Sequence, residues 1–129
     1  MTQEDKDLLF VDLCGRLPHM GFMVQWNGED YNIIDIGFGR VTVLKPFMSM
    51  TSGSPLIEEV KPYLRSMSTM TEEELEEYDR HRCHIEGLGC ADTSDTFDWL
   101  DANYFDYRGL IPKGIALEAP EDMYKFWRV

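Results

Sequence analysis

Cysteine is scarce and odd in number: Cys14, Cys83 and Cys90 are the only three. The first residues, Met-Thr-Gln-Glu-Asp-Lys-Asp, show neither the basic region nor the apolar core of an export signal. A disulfide framework is therefore not expected, and the three read as thiols in a reducing cytosol. No apolar run approaches a membrane span, and internal repeats and low-complexity tracts are missing. Basic residues are also short. Twelve Lys and Arg face 24 Asp and Glu, a formal net charge of −12, which repels phosphate backbones and anionic membranes at long range. Direct nucleic-acid and membrane binding are disfavoured; solubility and attraction of a basic protein partner remain as roles for the charge.

What is present is ordinary globular chemistry. With 129 residues, 43% hydrophobic and 12% aromatic, the chain is long and apolar enough to close one core. A single domain over residues 1–129 is the expectation.

Thr2 and Asp5 have capping-box spacing, and Leu9, Leu13 and Leu17 with Phe10 and Cys14 recur as one helical face, so a helix is expected from about 3 to 16, stopped by Gly15 and Pro18. Phe22, Val24 and Trp26 then alternate, and Asn27-Gly28 is a hairpin signal because both residues tolerate positive φ. A two-residue turn there sets Trp26 against Glu29, Val24 against Tyr31 and Phe22 against Ile33, with Ile34 and Ile36 pointing the other way. Gly37 and Gly39 bracket a second turn before the strand Val41 to Leu44, which completes a three-stranded antiparallel meander. Gly37-Phe38-Gly39 lacks the third glycine and the following helix of a nucleotide loop.

Residues 47–55 are small and polar without periodicity and read as a mobile loop. Ser54-Pro55 suits a helix cap, whereas Pro62 pushes Lys61 towards extended geometry, so 55–66 stays open between a short helix and an edge strand over 59–66. Thr71 and Glu74, with Met70 and Leu75 at staple spacing, mark the start of a second helix that carries only Leu75, Tyr78 and Ile85 as an apolar stripe and so lies on the surface. A loop over 87–95 precedes a third helix, about 96–105, built on Phe97, Leu100 and Tyr104. The tail is irregular, with at most one short strand. The fold class is α+β.

Two stretches carry a likeness: Lys61-Pro62-Tyr63-Leu64-Arg65-Ser66-Met67-Ser68-Thr69-Met70-Thr71-Glu72-Glu73-Glu74, and Asp98-Trp99-Leu100 through Phe105-Asp106-Tyr107-Arg108-Gly109-Leu110-Ile111 to Gly114-Ile115-Ala116-Leu117-Glu118-Ala119-Pro120. They resemble small uncharacterised proteins of gut Bacteroides-type bacteria and their phages or mobile elements. The resemblance implies a genetic setting and carries over no activity or site residue.

Candidate chemistry is thin. His81, Cys83, His84 and Cys90 have the donor types of a zinc site but no Cys-x-x-Cys pair, and helix-end histidines account for them, so no metal and no cofactor are expected. Cys83 beside His81 and His84 supplies a thiol and a base without a family signature. Among Asp95, Asp98, Asp101 and Asp106, Asp98 and Asp101 share a helix face, which also suits a solvated surface. Tyr104, Phe105, Tyr107, Tyr124, Phe126 and Trp127 exceed what one helix face hides, and Arg108 stands among them. Tyr104, Phe105, Tyr107, Arg108 and Trp127 therefore form the candidate partner-binding set, against the alternative that the tail packs over the third helix. Glu72, Glu73, Glu76, Glu77 and Asp79 form the candidate acidic surface.

The expected function is a non-enzymatic interaction module of a phage or mobile element, acting through this acidic and aromatic surface, with nucleic-acid mimicry or inhibition as its sharper form. The alternative is a small hydrolase or transferase using Asp98, Asp101, His81 or His84. A homodimer through the aromatic tail is a further arrangement.

Overall fold

A computed structural model describes residues 1–19, 21–46 and 51–124. Three α-helices and a five-stranded mixed sheet form an α+β architecture, with a separate two-stranded hairpin. No helix among the described residues is long and apolar enough to cross a membrane.

Helix α1 spans Gln3–Arg16, and the Thr2 hydroxyl accepts the Asp5 N–H, satisfying one of the orphan donors of its first turn. Its buried face is Leu9, Asp12, Leu13 and Arg16. Phe10 and Cys14 are exposed, a correction to the apolar face expected from the sequence. The i, i+3, i+4, i+7 positions are shared between two leucines and an ion pair, which an apolar count misses. Gly15 lies inside the helix rather than ending it.

Strands β1 (Met23–Trp26), β2 (Glu29–Gly37) and β3 (Arg40–Leu44) pair antiparallel, with Trp26 opposite Glu29 and Val24 opposite Tyr31. Asn27 and Gly28 both have positive φ, as a tight right-twisted hairpin turn requires. The register shifts between Ile33 and Asp35, so Ile33 faces Val43 and Ile36 faces Val41, both on the core side. Only Ile34 points out; the bulge inserts one residue and returns Ile36 to the core, against the strict alternation expected.

Residues 51–57 run back along the outer edge of β3, where Val41 N–H donates to the Pro55 carbonyl and Val43 N–H to that of Gly53. The ordered return covers the edge. The rest of the expected mobile loop, 47–50, lies outside the described residues.

Strand β4 (Lys61–Leu64) is interior, not an edge: the order is β3-β2-β1-β4-β7, with β7 (Leu117–Glu118) parallel to β4. Pro62 is tolerated for a geometric reason. The Leu64 carbonyl accepts from Ala119 N–H on the β7 side, and the two-residue period turns Pro62 the same way, where the β7 ladder begins only at Tyr63. The missing N–H thus removes no bond to β1.

Helix α2 spans Glu72–His81 with both halves of the capping box formed between Thr71 and Glu74. The chain then makes a hairpin, β5 (Cys83–Ile85) with β6 (Gly89–Ala91), where a loop was expected, and Ile85 leaves the helix stripe altogether. Helix α3 is Ser94–Ala102, starting two residues earlier and ending three residues earlier than the span of about 96–105 expected from the sequence, with Thr93 as its N-cap. It ends in a Schellman motif, with Phe105 N–H donating to the Leu100 carbonyl and Tyr104 N–H to that of Asp101. Tyr104 takes the left-handed conformation, φ 61°, usually given to glycine. Its ring is held between Phe22, centroids 5.6 Å apart, and Tyr124, 4.1 Å, contacts that offset the backbone strain.

Candidate functional site

Among the described residues, the tail aromatics are largely interior. Tyr104 is 3% and Phe105 0% exposed, so the candidate docking surface is corrected to core for these two. Tyr124 is likewise buried; its hydroxyl accepts from Met23 N–H and donates to the Tyr63 carbonyl, tying the tail to β1 and β4. Tyr107 is half-buried on Phe97, with centroids 5.2 Å apart. Trp127 and Phe126 lie outside the described residues.

Arg108 belongs to a polar cluster that sequence reading did not find. Asp12 and Arg16 of α1 are both fully buried. Arg16 Nε donates to both Asp12 oxygens at 3.0 Å, and its Nη2 donates to the Phe105 carbonyl at 2.6 Å, beyond the end of α3. Arg108 Nη1 donates to Asp12 at 2.7 Å and to Asp101 at 3.1 Å, and the Tyr107 hydroxyl donates to Asp101 at 3.0 Å. Two arginines thus balance two aspartates. No buried side-chain polar atom among the described residues lacks a partner, the condition under which buried charge is tolerated. Gly15 permits this approach, since a Cβ there would stand 3.0 Å from Arg108 Nη2 and from Asp101 Oδ2. Burial pushes the Tyr107 and Tyr104 phenols up to about 12. This cluster locks α1, α3 and the tail together and presents no carboxylate for acid-base work. Asp98 and Asp101 lie three residues apart in α3, but Asp98 is exposed while Asp101 is buried in the cluster, so the two do not form a solvated pair, and Asp106 accepts the Leu110 and Ile111 N–H groups of the following turn.

A second polar arrangement opens to solvent. The N-terminal end of α2 and the segment after β7 enclose a cleft of about 610 Å³. Arg65 and Glu74 pair across its floor through two hydrogen bonds of 2.7 and 2.8 Å, with the guanidinium 4.2 Å above the Phe105 ring. Glu74 thereby serves the capping box and the ion pair together. Glu73, Glu118 and Glu121 are exposed around it, so the lining holds four carboxylates and one guanidinium. None of Asp98, Asp101, His81 and His84 is in this cleft.

Of the expected acidic surface, Glu72, Glu73, Glu76 and Asp79 are exposed on α2. Glu77 is half-buried and accepts Trp99 Nε1–H at 3.2 Å. Trp99 stacks on Tyr78, His81 and Phe105, which is how a helix with little apolar surface docks. Leu75, expected in the apolar stripe, is exposed.

The hairpin sorts the His and Cys candidates. His81 pairs with Asp95 at 2.7 Å. His84 stands across the strands from Cys90, with Nδ1 3.0 Å from Sγ, and its Nε2 lies 2.7 Å from the main-chain carbonyl of Asp79. Cys83 pairs with Ala91, on the opposite face of the hairpin. The thiol that meets an imidazole is therefore Cys90 rather than Cys83. Comparison of the chain with protein-family models, curated proteins and solved structures finds no match.

Proposed function

We propose that this protein is a non-enzymatic interaction module of a phage or mobile element, working in the cytoplasm of its bacterial host, and that its cleft takes a basic segment of a partner protein. The observation that carries the reading is that, among the described residues lining the cleft, Glu73 and Glu118 add exposed carboxylates while Arg65, the one arginine of that lining, is already paired with Glu74. A Lys or Arg side chain entering there meets carboxylates in a partly enclosed space, where Coulomb attraction is less screened than on an open surface. Glu72, Glu73, Glu76 and Asp79 continue the negative field along α2, and in the sharper form of the proposal they stand in for phosphates against a basic groove. Tyr104 and Phe105 of the expected aromatic surface are core and take no part.

The test is a titration of the labelled full-length protein with an Arg- and Lys-rich peptide, followed by NMR at two salt concentrations. Chemical-shift changes are expected at Thr71, Glu73, Glu118 and Glu121. Neutralising Glu73, Glu118 and Glu121 to Gln should weaken binding, whereas neutralising Glu4 and Asp7 on α1 should not. Equal loss from both sets would reduce the effect to net charge and end the reading.

A further inference from the structure

We propose that Asp79, His84 and Cys90 form a binding site for a thiophilic divalent cation of the zinc class. The three residues come from two elements that the chain brings together only by turning at Arg82: Asp79 from the last turn of α2, His84 and Cys90 from facing positions of the hairpin. A carboxylate oxygen, an imidazole nitrogen and a thiol sulfur, one from each residue, lie within 4.8 Å of one another.

The protonation pattern makes the arrangement specific. A carbonyl oxygen only accepts, so the contact of 2.7 Å between the Asp79 carbonyl and His84 Nε2 places the proton of the neutral ring on Nε2. The lone pair is then on Nδ1, and Nδ1 is the nitrogen that faces Cys90 Sγ at 3.0 Å. Nδ1 and Sγ thus face each other across the place a metal ion would take. On binding a divalent cation, Cys90 releases one proton to solvent, the sulfur and Nδ1 lone pairs form two bonds to the metal, and the Asp79 carboxylate, 3.7 Å from Nε2 in the metal-free protein, turns to form the third. His84 keeps its Nε2–H on a main-chain carbonyl, the outer hydrogen bond that orients metal-bound histidines. Sulfur with imidazole favours zinc-like ions over magnesium and calcium, which prefer oxygen ligands. Three protein ligands leave a fourth tetrahedral position to solvent. All three residues are exposed, so an ion reaches them without unfolding and their substitution spares the core. The spacing resembles no sequence finger because the site is assembled by a cross-strand pair and a helix end.

Cobalt(II) titration of the reduced full-length protein tests the site, with zinc as competitor. Expected are one equivalent of cobalt, visible bands of a tetrahedral ion with a thiolate charge-transfer band, and displacement by zinc but not by magnesium. Cys90→Ser should abolish the charge-transfer band. His84→Ala should weaken cobalt binding more than about tenfold, the lower end of what even outer-sphere changes cost. Cys83→Ser should behave as the parent. Absence of cobalt binding, or a charge-transfer band that survives Cys90→Ser or disappears in Cys83→Ser, would overturn the proposal.

Discussion

Two polar clusters, each built around aspartate, meet different fates in this molecule. At the junction of α1, α3 and the tail, Asp12, Arg16, Asp101 and Arg108 are drawn out of water, each charge matched. At the junction of α2 and the hairpin, Asp79 sits in solvent at the end of the helix, and His84 and Cys90 on two short strands whose residues are all exposed. The first cluster spends its hydrogen bonds on holding chain segments together. The second retains a sulfur and a nitrogen lone pair within reach of a ligand. Burial therefore separates a structural lock from available chemistry, and residue type alone does not.

The contrast predicts unequal sensitivity. The largest effect is expected from Arg16→Met, which leaves Asp12 buried beside Arg108 alone and takes from the Phe105 carbonyl its side-chain donor, leaving only Tyr107 N–H; breaking such a pair costs about 3–5 kcal/mol, measurable as a lower urea midpoint. A midpoint within about 0.5 kcal/mol of the parent, the range of neutral surface changes, would refute the lock.

Alkaline pH should probe the same region more gently. The Tyr104 and Tyr107 phenols are held at about 12 by burial, above the value near 10 of an unfolded chain. The unfolded state therefore loses these protons first. Their contribution is fully present below about pH 10 and is lost as the pH rises towards 12. Urea midpoints should fall over that interval, and Tyr107→Phe should make the fall shallower. An identical pH profile for this variant would show that Tyr107 is not withdrawn from water.

The smallest effect is expected at the exposed cluster. Cys90→Ser and His84→Ala should change stability in metal-free buffer by no more than about 0.5 kcal/mol. A larger loss would mean that the hairpin depends on the Cys90–His84 contact for its structure and would blur the distinction between the two clusters.

How far each region was legible follows from the range of its interactions. Thr71 and Glu74 mark the start of α2 because a capping box closes within four residues. Asn27-Gly28 marks its turn because the requirement for positive φ is local. The end of α3 was misread for the opposite reason: Tyr104 stands where glycine ordinarily would, and what permits it is contact with Phe22 and Tyr124, distant in the chain. The hairpin over 83–91 has too few apolar residues to show an alternating pattern, so the pairing of His84 with Cys90 had no signal. The cleft was equally silent, since Arg65, Glu74 and Glu118 converge only when β4, α2 and β7 are in place.

By itself the sequence determined the mixed α+β class, the onset of α1 and α2, the first hairpin turn and the excess of negative charge, because propensity, capping and turn geometry act over a few residues. Tertiary structure alone decided which aromatics are core, placed β4 inside the sheet despite Pro62, and paired Arg16 with the end of α3, 89 residues away from Phe105. It also decided which of three cysteines meets a histidine. Those outcomes depend on desolvation and on side chains meeting across the fold, and both are properties of the packed chain.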